Sequence, residues 1–70
     1  MQKKILITGC SSGLGLSLTK YYLEKKYKVY GISRKKPDIF DENFIHKSFD
    51  LSQVTKIKQE LTNFIKEINN

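Results

Sequence analysis

The apolar positions of this 70-residue chain change period along its length, and the changes mark its elements. KKILITG runs through Ile5, Leu6 and Ile7 and stops at Gly9, the pattern of a short buried strand. In LGLSLTKYYLEKKY, residues 14–27, the period lengthens. Leu14, Leu18, Tyr21 and Tyr22 fall at helical spacing, with Lys20, Glu24 and Lys25 mostly off that stripe. YKVYGIS reads as a second strand centred on Val29, Tyr30 and Ile32. RKKPDIFDEN is a loop, because Pro37 and a string of charges block regular structure. FIHKSF is a short third strand. Asp50 or Ser52 then caps a last helix, VTKIKQELTNFIKEI, whose apolar face comprises Val54, Ile57, Leu61, Phe64, Ile65 and Ile68. Repeats and low-complexity tracts are absent.

The order β-α-β-β-α predicts an α/β protein. A strand, a crossover helix and a second strand of this length make a right-handed unit with parallel strands. A third strand on the far side gives sheet order 3-2-1, half of a doubly wound Rossmann fold, with residues 1–70 as a single dinucleotide-binding domain. A core this small rarely supplies more than about 3–5 kcal/mol. Cys10 is the one cysteine and His46 the one histidine, so neither an internal disulfide nor a metal site offers support. That leaves a ligand or a second chain.

The longest apolar run is far short of a membrane span, and the basic start at Lys3 and Lys4 lacks the apolar region of a signal peptide. A cytoplasmic protein with a reduced thiol is expected. Thirteen Lys and Arg against seven Asp and Glu leave a net charge of +6. That balance favours anionic partners, without choosing among nucleic acid, acidic membranes and phosphorylated small molecules.

The candidate chemistry lies where the first strand meets the first helix, in Thr8-Gly9-x-x-x-Gly13-x-Gly15. Gly9 lets the chain turn off the strand. Gly13 removes a Cβ where a pyrophosphate approaches, and Gly15 lets the helix pack tightly on the sheet. The helix N-terminus then offers free N–H groups and a positive dipole end to the phosphates. Thr8, Gly9, Ser11, Ser12, Gly13, Leu14 and Gly15 are therefore candidate cofactor-binding residues. Leu14 after Gly13 excludes the Gly-Lys-Ser/Thr of a P-loop.

T-G-x-x-x-G-x-G is the pattern of the short-chain dehydrogenase/reductase family, which the sequence resembles. The stretch ITGCSSGLGLSLTKYYLEKKYKVYGISR is similar throughout to that family's first βαβ unit. In dinucleotide-binding folds an Asp or Glu at the end of the second strand reads a ribose without a 2′-phosphate. Here the place is held by Ser33-Arg34-Lys35-Lys36. A serine hydroxyl and a guanidinium can share a 2′-phosphate, so Ser33 and Arg34 predict NADP(H) over NAD(H), by about tenfold to a hundredfold. The bland alternative is a solvated loop, which is the expected state of Lys35 and Lys36 individually. The resemblance further implies Asp50 as acceptor from the adenine amine and Leu51 as its backbone neighbour. A helix cap is an equal role for Asp50, and the two are compatible.

The resemblance covers nearly all 70 residues but only the opening third of a typical family member. The family's Asn-Ala-Gly stretch, catalytic serine and downstream Tyr-x-x-x-Lys have no counterpart, so no catalytic residue is expected. Tyr21-x-x-x-Lys25 and Tyr22-x-x-x-Lys26 match the last motif by spacing, but they lie on the first helix, where Tyr22 reads as packing surface. Cys10 occupies variable loop without a base, and His46 reads as a partly exposed structural histidine.

The leading expectation is a dinucleotide-binding module without catalysis of its own. It is expected to be a homodimer through the bare edge of the first strand, the last helix, or both. The alternatives are a vestigial reductase fragment, an interaction subunit that completes its sheet with a different protein, and a nucleic-acid-binding protein. The last would use Lys25, Lys26, Lys28 and the Arg34–Lys36 run, but no recognition module matches.

Overall fold

The computed structural model describes residues 2–68 of the chain, and the side chains of Leu51 and Val54 lie outside the described residues. Its elements are β1 (Lys4–Thr8), α1 (Gly13–Glu24), β2 (Lys28–Ser33), β3 (Phe44–Ser48) and α2 (Val54–Ile68), with a 3₁₀ turn at Leu51–Gln53 before α2. The three strands form one parallel sheet in the order β1-β2-β3, as the half Rossmann fold requires. Leu6 stands beside Tyr30, and Tyr30 beside Ile45.

Alternation along central β2 divides the core between two faces. Val29 packs with Ile7, Cys10 and Leu23 under α1, while Tyr30 and Ile32 pack with Phe64 of α2. Tyr30 and Phe64 meet edge to face with ring centroids 5.7 Å apart. β1 departs from the expected burial on both faces. Ile7 is buried but Leu6 is 38% exposed, because β1 is an edge strand and the α2-side core centres on β2.

Helix α1 is rotated from the orientation that its leucines predict. Leu14 is 75% exposed, and Leu18 and Tyr21 are also exposed, whereas Thr19 and Leu23 are buried. The cause is Gly15. A Cβ there would stand 2.0 Å from the Gly9 carbonyl oxygen, so the helix is turned to bring the bare Cα of Gly15 against the glycine turn. Thr19 and Leu23 follow at four-residue steps on the same face. The buried Thr19 hydroxyl is satisfied by donating to the Gly15 carbonyl at 2.8 Å.

The helix also stops earlier than the periodicity predicts. Lys26 takes a left-handed φ of 68°, and the amides of Lys26 and Tyr27 bond to the carbonyls of Leu23 and Tyr22, each at 3.0 Å. This is a Schellman end with lysine in the position usually given to glycine. Tyr27 folds back against the Tyr22 ring, centroids 4.9 Å apart, which places Tyr22 in packing. Along α2, Phe64 is buried while Ile57, Leu61 and Ile68 are half-buried. Ile65 is exposed, off the face assigned to it from the sequence. No helix among the described residues is long and apolar enough to cross a membrane.

Candidate functional site

The segments that follow the three strands converge on a groove of about 760 Å³ at the carboxyl end of the sheet. Gly9, Ser11 and Ser12 line it from the turn after β1; Ser33, Arg34, Lys35, Lys36, Pro37 and Asp38 from the end of β2 and the loop beyond. Phe49, Asp50 and Ser52 close it from the segment after β3.

The turn that supplies the first wall, from Gly9 to the start of α1 at Gly13, is shaped by backbone. Gly9 and Gly13 have φ of 66° and 55°, and nothing lies within 4 Å of where a Cβ on either would stand. An L-residue would be strained at both places. The Gly9 amide donates to the Ile32 carbonyl at 2.8 Å, which ties the turn to β2. Ser12 begins α1 in extended conformation and makes no side-chain cap bond, and the first turn carries no acidic residue. The first amides of a helix have no intrahelical partner, so this end presents donors and a positive dipole end without a built-in anion.

The opposite wall is shaped by charge. Arg34, Lys35 and Lys36 are exposed, as expected of the two lysines, and all three line the groove. Asp38, just beyond the Ser33–Lys36 stretch, lines it as well and brings a negative charge to the same wall. Asp50 accepts from the Ser52 amide at 3.0 Å and from the Ser52 hydroxyl at 2.6 Å. It therefore caps the 3₁₀ turn rather than the first turn of α2. Those two bonds hold its carboxyl below the usual carboxylate range, with Arg34 adding to the effect.

Ser33 requires a correction. Its side chain is 8% exposed, and its hydroxyl bonds to the Lys35 carbonyl, to His46 Nε2 at 2.7 Å and to Cys10 Sγ at 3.5 Å. A hydroxyl has one proton, and a carbonyl can only accept it. The proton expected for a 2′-phosphate is therefore directed inward, to Lys35. Sequence reasoning missed this cluster because its members come from three segments. The register that places His46 beside Gly31, two residues from Ser33, was the available signal. His46 is half-buried, and desolvation pushes its imidazole below the ordinary value, with Lys36 acting in the same direction.

The other candidates sit away from the walls. Thr8, Gly13 and Leu14 are exposed but are not among the residues that line the groove, and Gly15 is occupied in packing against Gly9. Leu51 lies in the 3₁₀ turn, and its side chain is outside the described residues. Lys25 Nζ rests over the Tyr21 ring, 5.5 Å from its centroid, at the end of α1 and not among the residues lining the groove. Among the described residues no group of His, Cys, Asp or Glu could hold a metal ion. A groove with amide donors on one wall and three cations on the other suits an elongated ligand with more than one anionic group.

No protein-family model matches the chain. It is 30% identical over 64 residues to a benzil reductase ((S)-benzoin forming) of Bacillus subtilis, a match that takes in 91% of this chain and 26% of that protein. Among solved structures, a short-chain dehydrogenase/reductase from Burkholderia vietnamiensis superposes with a TM-score of 0.80 at 25% identity, covering 87% of this chain and 30% of that one. A 4-hydroxyisoleucine dehydrogenase complexed with NADH gives 0.68 at 32% identity, covering 94% and 28% respectively. A short chain dehydrogenase from Leptospira borgpetersenii with bound NAD⁺ has the same fold, with a TM-score of 0.80 at 23% identity over 96% of this chain and 27% of that one. The chain thus spans about a quarter of the curated relative it matches. In sequence and in fold it resembles a part of short-chain dehydrogenases/reductases.

Proposed function

We propose that this chain binds a nicotinamide dinucleotide in the groove and favours NADP(H) over NAD(H). The observation that carries the reading is the glycine turn that supplies the first wall. Gly9 and Gly13 are left-handed with open space at their missing Cβ atoms, beside a helix N-terminus that no side chain caps. That arrangement fits a pyrophosphate. Two of the similar structures are described with NAD⁺ or NADH, which supports the ligand class. The preference for a 2′-phosphate rests on Arg34, flanked by Lys35 and Lys36, with Asp38 as the opposing charge. Asp50 keeps acceptor capacity for an adenine amine while capping its turn.

Calorimetric titration of NADP⁺ and of NAD⁺ into the same sample tests the reading. Tighter NADP⁺ binding, reduced about tenfold or more by Arg34→Ala with NAD⁺ little affected, is the expected result. Absence of binding by either dinucleotide defeats it.

The proposed role is binding without catalysis. Neither Tyr-Lys pair of α1 lines the groove, and Tyr22 is packed among core side chains. A cytoplasmic setting suits the single buried thiol. The proposed assembly is a homodimer across β1. The Lys28 amide bonds to the Lys3 carbonyl and the Gly9 amide to the Ile32 carbonyl, so odd-numbered residues of β1 face β2. The backbone groups of Leu6 and Thr8 then face away from β2 along the sheet edge, with the exposed side chain of Leu6 beside them. Light scattering at micromolar concentration should give twice 8.2 kDa, and a monomer would remove the dimer from the proposal.

A further inference from the structure

The groove's two walls are joined beneath its floor by side chains to which the dinucleotide reading assigns no positioning role. Cys10 belongs to the glycine turn, Ser33 ends β2, and His46 lies in β3. The hydroxyl of Ser33 is the point at which they meet. Its partners determine its orientation. The proton goes to the Lys35 carbonyl, so the two lone pairs remain to receive N–H from His46 Nε2 and S–H from Cys10. His46 accordingly carries a proton on Nε2. Cys10 is fully buried, and the space its sulfur occupies exists because residue 31 is glycine, where a Cβ would stand 2.7 Å from Cys10 Sγ.

We propose that Ser33, held by His46 and Cys10, is a positioning residue that sets the cofactor preference of the Arg34–Lys36 turn by clamping the Lys35 carbonyl. This rests on the reading of the groove as an NADP(H) site. Fixing that carbonyl fixes the plane of the peptide between Lys35 and Lys36, in the middle of the cationic wall. A guanidinium discriminates a phosphate by planar, directional bonds, so its worth depends on a backbone that does not wander. The tie from Ser33 to Cys10 holds this wall in register with the turn that carries Gly9. The clamp thus acts on the distance between a bound pyrophosphate and a 2′-phosphate, a span that NAD(H) does not use.

Ser33→Ala and His46→Leu remove the clamp and its support, and His46→Gln keeps an N–H able to reach Ser33. Each is titrated with NADP⁺ and with NAD⁺. The expected result is about a tenfold loss of NADP⁺ affinity in the first two, with NAD⁺ affinity within about twofold of the unsubstituted chain, and recovery of the preference in His46→Gln. Equal losses for both dinucleotides would mean a general structural role and would overturn the proposal. So would a preference that Ser33→Ala and His46→Leu leave unchanged. If the unsubstituted chain binds neither dinucleotide, the reading underneath fails and takes this proposal with it, an outcome distinct from retained binding without a clamp effect.

Discussion

Two glycines of the same turn should fail in opposite ways when replaced by alanine. At Gly15 the new Cβ would lie 2.0 Å from the Gly9 oxygen, 2.7 Å from the Gly9 carbon and 3.2 Å from the Thr8 oxygen. All three are backbone atoms, so no side chain can swing aside. Even a contact of 3.0 Å, which real Cβ atoms essentially never undercut, requires helix and turn to part by about 1 Å. Overpacking costs about 1–3 kcal/mol where side chains can adjust, and a backbone-on-backbone clash belongs at or above the upper end. Against a stability of about 3–5 kcal/mol for a core of this size, Gly15→Ala should remove most of it. The melting temperature should fall by about 12–24 °C, at about 4–8 °C per kcal/mol. Gly13→Ala meets no atom within 4 Å, so its cost is the left-handed φ of 55° alone, about 1–2 kcal/mol. It should melt only about 4–16 °C lower, yet lose at least about tenfold in dinucleotide affinity as its methyl enters the space assigned to the pyrophosphate. Thermal melts followed by circular dichroism, paired with calorimetry on the folded variants, separate the two effects. A Gly15→Ala protein that melts within about 4 °C of the parent would refute the packing argument. A Gly13→Ala protein that binds dinucleotide like the parent would refute the placement of the pyrophosphate.

Lys26→Gly should stabilise the fold by about 0.5–1 kcal/mol, because glycine adopts the φ of 68° without the penalty that lysine bears, less the entropy glycine adds to the unfolded chain; urea midpoints measure it, and a destabilised variant would count against the Schellman geometry. Acidification should weaken the fold through His46. Its folded pKa lies below the ordinary 6.5, so between the two values the unfolded chain binds more protons. This contribution is complete above pH 6.5, declines as the pH falls below it, and levels off beneath the folded pKa. Urea midpoints across that range should show the decline in the parent and a flatter profile in His46→Gln, while identical profiles would place the titration elsewhere.

The architecture was legible because it depends on period and order, which a sequence displays directly. ILI and VYGI mark parallel strands, and the lengthened period between them marks the crossover helix. The glycine turn was legible for a related reason. Gly9, Gly13 and Gly15 are required by backbone conformation and backbone contact, which depend little on distant side chains. The rotation of α1 was not legible from its leucines. A helix with Leu14, Leu18 and Tyr21 on one stripe would be expected to bury them, yet the contact of Gly15 with the turn turns that stripe outward and selects Thr19 instead. The small residues at 15 and 19 carried the signal, and apolar periodicity outweighed it.

The cationic wall shows why a site's chemistry is harder to read than its scaffold. Locally, Ser33 and Arg34 look like two donors at a strand end, followed by lysines in solvent. Only the fold brings His46 and Cys10 to Ser33, engaging its hydroxyl and making it a tie between segments. Only the course of the loop through Pro37, where the Ile39 amide returns to the Pro37 carbonyl at 2.9 Å, carries Asp38 into the same groove. Three cations and a carboxylate then line one groove, so on the proposed NADP(H) reading a 2′-phosphate would gain from Arg34, Lys35 and Lys36 and be opposed by Asp38. On that reading the balance between these charges, rather than the presence of any one of them, would set the margin between the two dinucleotides. A backbone tie on the Lys35 carbonyl is placed to act on that margin.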